Sequence, residues 1–303
     1  MLIVPVAPAA PVPIFSDFDY VTVDAPRRRV YAAHEGSQAL LIVNADTSQV
    51  LGQVRIGPVH GVAVDPVTGH VFTGNGDGRS ISEVDPVAMK ELRSVDVDGL
   101  VDAIAYDSEM HRIYADEDDG TRMFVIDTSG KDLKQIATVT LPGHKPEYLA
   151  IDPSTHKIYQ NIDNLNEFVI IDPKSLSVVQ SVPTPGIEHN HPLQLDAALG
   201  HLYVSGRGGL LLTYDLSGKL LWSTKIEGYY DQCDLDAAHH NLACAGSGGI
   251  AIYHDTGSSV DLIATQAIGK GVHTVGMDPQ TGNAWAVWAS PTGDFIQGFK
   301  LSP

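Results

Sequence analysis

Asp19-Tyr-Val-Thr-Val-Asp24, His60-Gly-Val-Ala-Val-Asp65, Asp102-Ala-Ile-Ala-Tyr-Asp107 and Glu147-Tyr-Leu-Ala-Ile-Asp152 share one pattern: an ionisable residue, a short strand-like stretch and a closing aspartate. The pattern returns as His191-Pro-Leu-Gln-Leu-Asp196, Asp231-Gln-Cys-Asp-Leu-Asp236 and His273-Thr-Val-Gly-Met-Asp278. The closing aspartates stand at positions 24, 65, 107, 152, 196, 236 and 278, so the period is 40 to 45 residues. After each comes a turn such as Pro66-Val-Thr-Gly-His70, then a strand such as Arg29-Val-Tyr-Ala-Ala33. A third strand resembles Leu40-Leu-Ile-Val-Asn44 and a fourth Gln49-Val-Leu-Gly-Gln-Val-Arg-Ile56. Four strands per unit at this period make a propeller blade, and seven units predict an all-β, seven-bladed β-propeller.

No stretch sustains a helical apolar series for more than a turn or two. The last unit ends near Phe299-Lys300-Leu301 after three strands, so Pro11-Val-Pro-Ile-Phe15 is expected to supply the missing fourth strand and close the ring. The chain is then one domain over residues 1–303, with 1–16 as closing segment and 17–301 as the seven repeats.

The units resemble the YVTN-type propeller repeat of exported, YncE-like bacterial proteins. The likeness rests on Arg29-Val-Tyr-Ala-Ala-His34, Leu40-Leu-Ile-Val-Asn44, Val54-Arg-Ile-Gly57 and His60-Gly-Val-Ala-Val-Asp65, and the repeat covers essentially the whole chain. The sixth unit departs from it, with Leu242-Ala-Cys-Ala245 in place of the aromatic strand. The resemblance implies a periplasmic or secreted protein. It fixes architecture and leaves activity open, because one propeller frame carries many chemistries.

Composition narrows the partners. A formal net charge of −18 argues against nucleic acid and anionic membrane surfaces, both of which select a basic footprint. No run of about 18 apolar residues is present to make a helical membrane span. A monomer acting on a small molecule is the expectation. The opening Met1-Leu-Ile-Val-Pro-Val-Ala-Pro8 lacks the basic start of an intact signal peptide and reads like a mature chain behind a removed one. The two cysteines, Cys233 and Cys244, exclude a thiolate zinc site. A hairpin that pairs Leu235 with Leu242 sets Cys233 opposite Cys244: a disulfide in an oxidising compartment, two small thiols in the cytosol.

Chemistry is expected where blades converge. The opening positions of the inner strands, Asp19, His60, Asp102, Glu147, His191, Asp231 and His273, form a ring at one mouth of the central channel, and all seven are ionisable. With 37 acidic residues and 13 histidines in 303, that column has a chance of about three in a million, or roughly one in 10,000 over some forty columns. The ring is therefore selected. Imidazoles and carboxylates at one point match a divalent zinc, manganese, iron or copper ion, which would relieve the mutual repulsion of four carboxylates. His60, His191, His273 and Asp19 are the expected ligands, with Glu147, Asp102 and Asp231 available as base. The histidines sit in units two, five and seven, so one ion would lie near the channel axis. In the competing reading the carboxylates cap nearby backbone N–H groups and the histidines fill the mouth through water.

Loops on the same face add His34, Asn161, Arg207, Tyr229 and Trp288 as candidate contacts for a small polar or aromatic substrate. His70, His111, His156, His201, His239 and His240 fall in turns on the opposite face and are expected to be solvated. Gly74-Asn-Gly-Asp-Gly78, Gly206-Arg-Gly-Gly209 and Gly246-Ser-Gly-Gly249 precede no helix, so they read as turns, with neither a phosphate loop nor a serine nucleophile. A metal-dependent hydrolase or lyase and a non-enzymatic propeller binding a metal, small ligand or protein on this face both fit.

Overall fold

A computed structural model describes residues 1–12 and 17–302. Seven antiparallel sheets form a ring with almost no helix. In each blade the strand nearest the axis comes first in sequence: Val21–Asp24, Val59–Val64, Val101–Asp107, Pro146–Ile151, Leu193–Asp196, Gln232–Asp236 and Thr274–Asp278. Each packs on the next, and the seventh packs on the first.

The last blade is closed from the N-terminus. Its third strand, Gly293–Ser302, pairs along one half with Ala10–Val12 and along the other with Leu2–Pro5. Pro11 and Val12 of the expected closing strand lie in this pairing, while residues 13–15 of that strand lie outside the described residues. Leu2–Pro5, expected only as a chain start, is a second closing strand.

Among the described residues the apolar core divides into seven clusters, one per blade interface. Strand alternation explains the division, because both faces of every sheet are buried against a neighbouring blade. The second strands bury Tyr31, Phe72, Tyr114, Tyr159, Tyr203 and Trp285. Blade six has Ala243 at that position, and Tyr253 of its third strand packs on the other face, against blade five, its hydroxyl 2.8 Å from that of Tyr230.

The closing aspartates hold the opposite face. Each accepts a turn N–H through Oδ1, from Val67 onto Asp65 at 2.9 Å and from Ser154 onto Asp152 at 2.9 Å, for example. Three of them also reach the following blade: Asp107 to His156 at 2.7 Å, Asp196 to His240 at 2.6 Å and Asp278 to Arg28 at 2.8 Å. His156, His240 and Arg28 occupy the left-handed position of their turns, φ 60, 55 and 52°. Gly69, Gly200 and Gly282 take the same place in blades two, five and seven. The expectation of solvated turn histidines holds for the exposed His111 and is corrected for His156 and His240. His70, His201 and His239 are also paired, with Glu83, Asp255 and Asp236 at 2.6 to 2.7 Å.

Candidate functional site

All seven ring residues line one cavity of about 470 Å³ at the mouth of the channel, together with Asp17, Phe18, Tyr20, Glu35, Asp118 and Gln232. Bulges aim three of them. His60 and Gly61 together oppose a single residue of the neighbouring strand, as do Asp102 and Ala103, and Tyr148 is the extra residue beside Glu147. An inserted residue turns the strand and redirects its side chains, here into the cavity. Gly61 permits the close approach of blade three, since a Cβ there would lie 2.5 Å from the Asp102 carbonyl oxygen. A Cβ on Gly76 would lie 2.4 Å from His60 Nε2, so the turn Gly74–Gly78 leaves room for the imidazole.

The ring falls into groups. In blades one to three, His60 Nδ1 lies 2.8 Å from Asp19 Oδ2 and 3.6 Å from Asp102 Oδ1, and its Nε2 lies 3.8 Å from Glu35. One donor atom from each of Asp19, His60 and Asp102 falls within 4.8 Å of the others. Gln232 steadies the group by donating to Asp19 at 2.9 Å while accepting from Thr274 at 2.6 Å. In blades four to six, His191 Nε2 lies 3.0 Å from Glu147 and 3.7 Å from Asp231, and the Tyr229 hydroxyl donates to Asp231 at 2.6 Å. Among the described residues His191 Nδ1 is buried without a hydrogen-bond partner.

The three histidines are not brought to one point, and the expected axial ion is corrected accordingly. His273 has both ring nitrogens against backbone carbonyls, Nε2 2.7 Å from Phe18 and Nδ1 3.2 Å from Gly271, so neither lone pair faces the cavity. Asp102, expected as a base, stands within the donor group.

The cavity is strongly acidic. Among the described residues no lysine or arginine lines it. Burial opposes charge on His60, but its hydrogen bonds to Asp102 and Asp19, with their charges, outweigh it and push the imidazole up to about 11. Burial and the Asp19 charge raise Asp102 to about 6. Burial, with Asp102 and Asp116 nearby, holds Glu147 well above the carboxylate range. Concentrated carboxylates thus draw protons in compensation.

The loop candidates divide. His34 is fully buried, stacked on Phe18 at 4.4 Å and hydrogen-bonded to Asp294 and Ser37. Asn161 is also fully buried and donates to the His191 carbonyl oxygen at 2.8 Å. Neither can touch a substrate, and Asn161 positions the ring from behind. Trp288 stacks on Phe295 and does not line the cavity. Tyr229 lines a side cleft of about 370 Å³ that shares Asp231 and His273 with the main cavity, and the exposed Arg207 lies over its ring at 5.9 Å. A larger cleft of about 820 Å³ beside residues 289–295 has, among the described residues, Asp17 and Asp294 as its ionisable lining.

Sequence reasoning missed Tyr20. It is among the cavity's lining residues, is 7% exposed, and has a buried hydroxyl with no hydrogen-bond partner among the described residues. Its ring lies 5.5 Å from that of Tyr148. Its place beside Asp19 was the available signal.

No family's sequence model matches the chain, and no curated protein matches it. Among solved structures it is similar to Kuenenia stuttgartiensis hydrazine synthase, with a TM-score of 0.81 at 15% identity over 96% of this chain and 98% of that one. It is also similar to the Myceliophteria thermophila Cps50 (Swd1) beta-propeller domain, with a TM-score of 0.78 at 12% identity over 97% and 100%. A mitotic checkpoint complex chain gives a TM-score of 0.83 at 14% identity over 99% and 92%. Likeness at these identities establishes the seven-bladed fold alone.

Proposed function

We propose that this chain is a metal-dependent propeller that holds a divalent ion on Asp19, His60 and Asp102 and acts on a small polar substrate in the cavity above them. The carrying observation is the approach of those three donor atoms within 4.8 Å. Two carboxylates and one imidazole form an O,O,N set suited to zinc, manganese or iron, and three protein ligands leave positions open. A bound ion would supply Lewis acidity or an activated water. His60 would coordinate through Nδ1 with Glu35 beyond its Nε2, as an outer carboxylate commonly orients a ligand imidazole. Glu147, which retains its proton to unusually high pH, and His191 beside it offer the proton transfer that hydrolysis or elimination needs. The Cys233–Cys244 disulfide supports an oxidising compartment, and we infer export.

Elemental analysis of protein purified without chelator tests the ion, with one equivalent expected for the wild type and none for His60→Ala. Zinc at a hundredfold excess over its Kd should stabilise the wild type by about 2.7 kcal/mol and His60→Ala not at all. Equal metal content in both proteins overturns the assignment.

A further inference from the structure

The side cleft of about 370 Å³ carries a charge pattern opposite to that of the ring it opens into. Its inner end is Asp231, which it shares with the main cavity, and its outer wall carries Lys270, which the main cavity lacks. The turn 246–248 builds the cleft by drawing in a loop on either side. A Cβ on Gly246 would lie 2.3 Å from the Tyr229 carbonyl oxygen, so glycine lets the Tyr229 loop approach. The Ser247 hydroxyl fastens that loop, donating to the Tyr229 carbonyl oxygen and accepting from the Tyr229 N–H, both at 3.0 Å. On the other side the Gly248 carbonyl oxygen accepts from the Ile268 and Gly269 N–H groups at 2.9 Å. Val272 N–H donates to the Gly269 carbonyl oxygen at 3.2 Å, which sets Lys270 at the tip of a tight turn. Lys270 is exposed and forms no ion pair among the described residues. Elsewhere on this face Lys145, 3.2 Å from Asp119, and Arg122, paired with Glu117, are neutralised. The Ser247, Gly248 and Lys270 N–H groups also have no acceptor among the described residues, so the outer end offers donors and positive charge while the inner end offers a carboxylate. An exposed lysine alone is a solvated side chain; this one stands on a walled cleft that leads to the ring.

We infer that this cleft is a subsite for a small organic acid, its carboxylate at Lys270 and its hydroxyl-bearing end at Asp231. The inference rests on the reading of the ring as a substrate cavity and adds the charge class of that substrate. At about 30 Å³ per water, the cleft holds about a dozen non-hydrogen atoms, the size of a sugar acid. Tyr229, whose hydroxyl is committed to Asp231 at 2.6 Å, presents its ring as an apolar wall against which such a molecule lies. A chain of net charge −18 repels anions at long range, so Lys270 selects by contact. A neutral molecule of the same shape forgoes the charged partner at the outer end, and a cationic one is repelled there.

D-Glucuronate and D-glucose, which differ at one carbon between a carboxylate and a hydroxymethyl group, are the probes. Each is titrated into the full chain at neutral pH and followed by ligand-detected NMR, with the metal content of every sample measured. The proteins are the wild type, Lys270→Gln, Lys270→Glu, His60→Ala and Lys174→Glu, the last an exposed turn residue on the opposite face that carries the same change in net charge. Glucuronate should bind the wild type more tightly than glucose does. Its affinity should fall about three- to fivefold in Lys270→Gln, the worth of one exposed charged contact, and about tenfold in Lys270→Glu, where attraction becomes repulsion. Lys174→Glu should match the wild type, and raising salt from about 0.01 to 0.15 M should remove most of the preference for glucuronate. Lys270 is exposed, so neither of its substitutions disturbs the core. No binding of glucuronate, equal binding of the two sugars, or equal effects of Lys270→Glu and Lys174→Glu overturns the subsite. Binding that survives Lys270→Glu but is lost together with the metal in His60→Ala puts the carboxylate on the ion, which overturns the subsite and leaves the ion site standing. Lys270-dependent binding by protein that holds no metal supports the subsite and overturns the ion site alone.

Discussion

Arg28→Gly should loosen the ring where it closes. Arg28 projects from the left-handed position of the first turn, and its guanidinium lies 2.8 Å from Asp278 Oδ2 of blade seven, whose side chain is 0% exposed. Removing one partner of a buried pair costs about 3–5 kcal/mol. Glycine at φ 52° returns about 1 kcal/mol of backbone strain, and the net loss is about 2–4 kcal/mol. At about 2 cal/mol/K of unfolding entropy per residue, a chain of 303 residues loses roughly 1.5 °C per kcal/mol, so melting should fall by about 3–6 °C. Burial raises the Asp278 carboxyl, but Arg28, the Thr281 hydroxyl and the Gln280 N–H outweigh it and leave the group below its usual 3.8. A depressed folded value contributes stability above the unfolded value and loses it as the pH falls through the folded one. The gap between wild type and Arg28→Gly should therefore be full at pH 7 and shrink below about pH 4. Thermal melts at matched scan rate, with Asp278→Asn and the double variant, measure the coupling. A variant that melts within a degree of the wild type, or single effects that simply add, would refute the reasoning. In that case Thr281 and Gln280 alone satisfy Asp278, as the turn groups do for the aspartates of blades one, four and six, which face glycine across the interface.

Deleting residues 1–12 strips both strands from Gly293–Ser302 and should lower the melting temperature and promote association through the bared edge; unchanged melting in a monomeric truncation would refute closure by these strands. Burial pushes Asp234 up to about 7 against the lowering effect of the Met277 and Leu235 N–H groups. Its folded value lies above the unfolded one, so it costs stability increasingly from about pH 4 to 7, and Asp234→Asn should be the more stable protein at pH 8 with the advantage lost below pH 4. Oxidatively folded protein should show no free thiol after unfolding without reductant, and reduction of Cys233–Cys244, 11 residues apart, should lower stability by about 2–3 kcal/mol.

The repeat was legible because strand alternation and the closing aspartate are local signals that recur seven times, and the ring column followed from the repeat alone. The Cys233–Cys244 register was legible for the same reason, and the structure pairs Leu235 with Leu242 as the hairpin required. What failed was side-chain direction. Nothing local distinguishes His273, whose nitrogens meet Phe18 and Gly271, from His60, which a bulge turns toward two aspartates. His34 and Asn161 lie near the ends of their second strands, one position apart in register, and look like loop edges in sequence, but both are sealed by neighbours distant in the chain, Asp294 and His191. The turn histidines were read as solvated because their partners, Asp107 and Asp196, belong to the preceding blade.

The two ends of the inner strand carry different burdens. At the closing end the residue is aspartate in all seven blades, because every turn presents the same N–H groups to be satisfied. At the opening end it is always ionisable but varies in kind, reading Asp, His, Asp, Glu, His, Asp, His around the ring. All three histidines stand between carboxylates in ring order, but His273 turns to backbone carbonyls, and the two that meet their flanking carboxylates are not equivalent. Around His60 the flanking aspartates have short side chains, and Gln232 holds Asp19 in place, so three donors converge. Around His191, Asp231 is engaged by the Tyr229 hydroxyl and stands 3.7 Å from the imidazole, while the longer Glu147 reaches it at 3.0 Å. That second group is a hydrogen-bonded pair beside an open side cleft. Under the function proposed above, the cation would sit in blades one to three and proton transfer would fall to blades four to six.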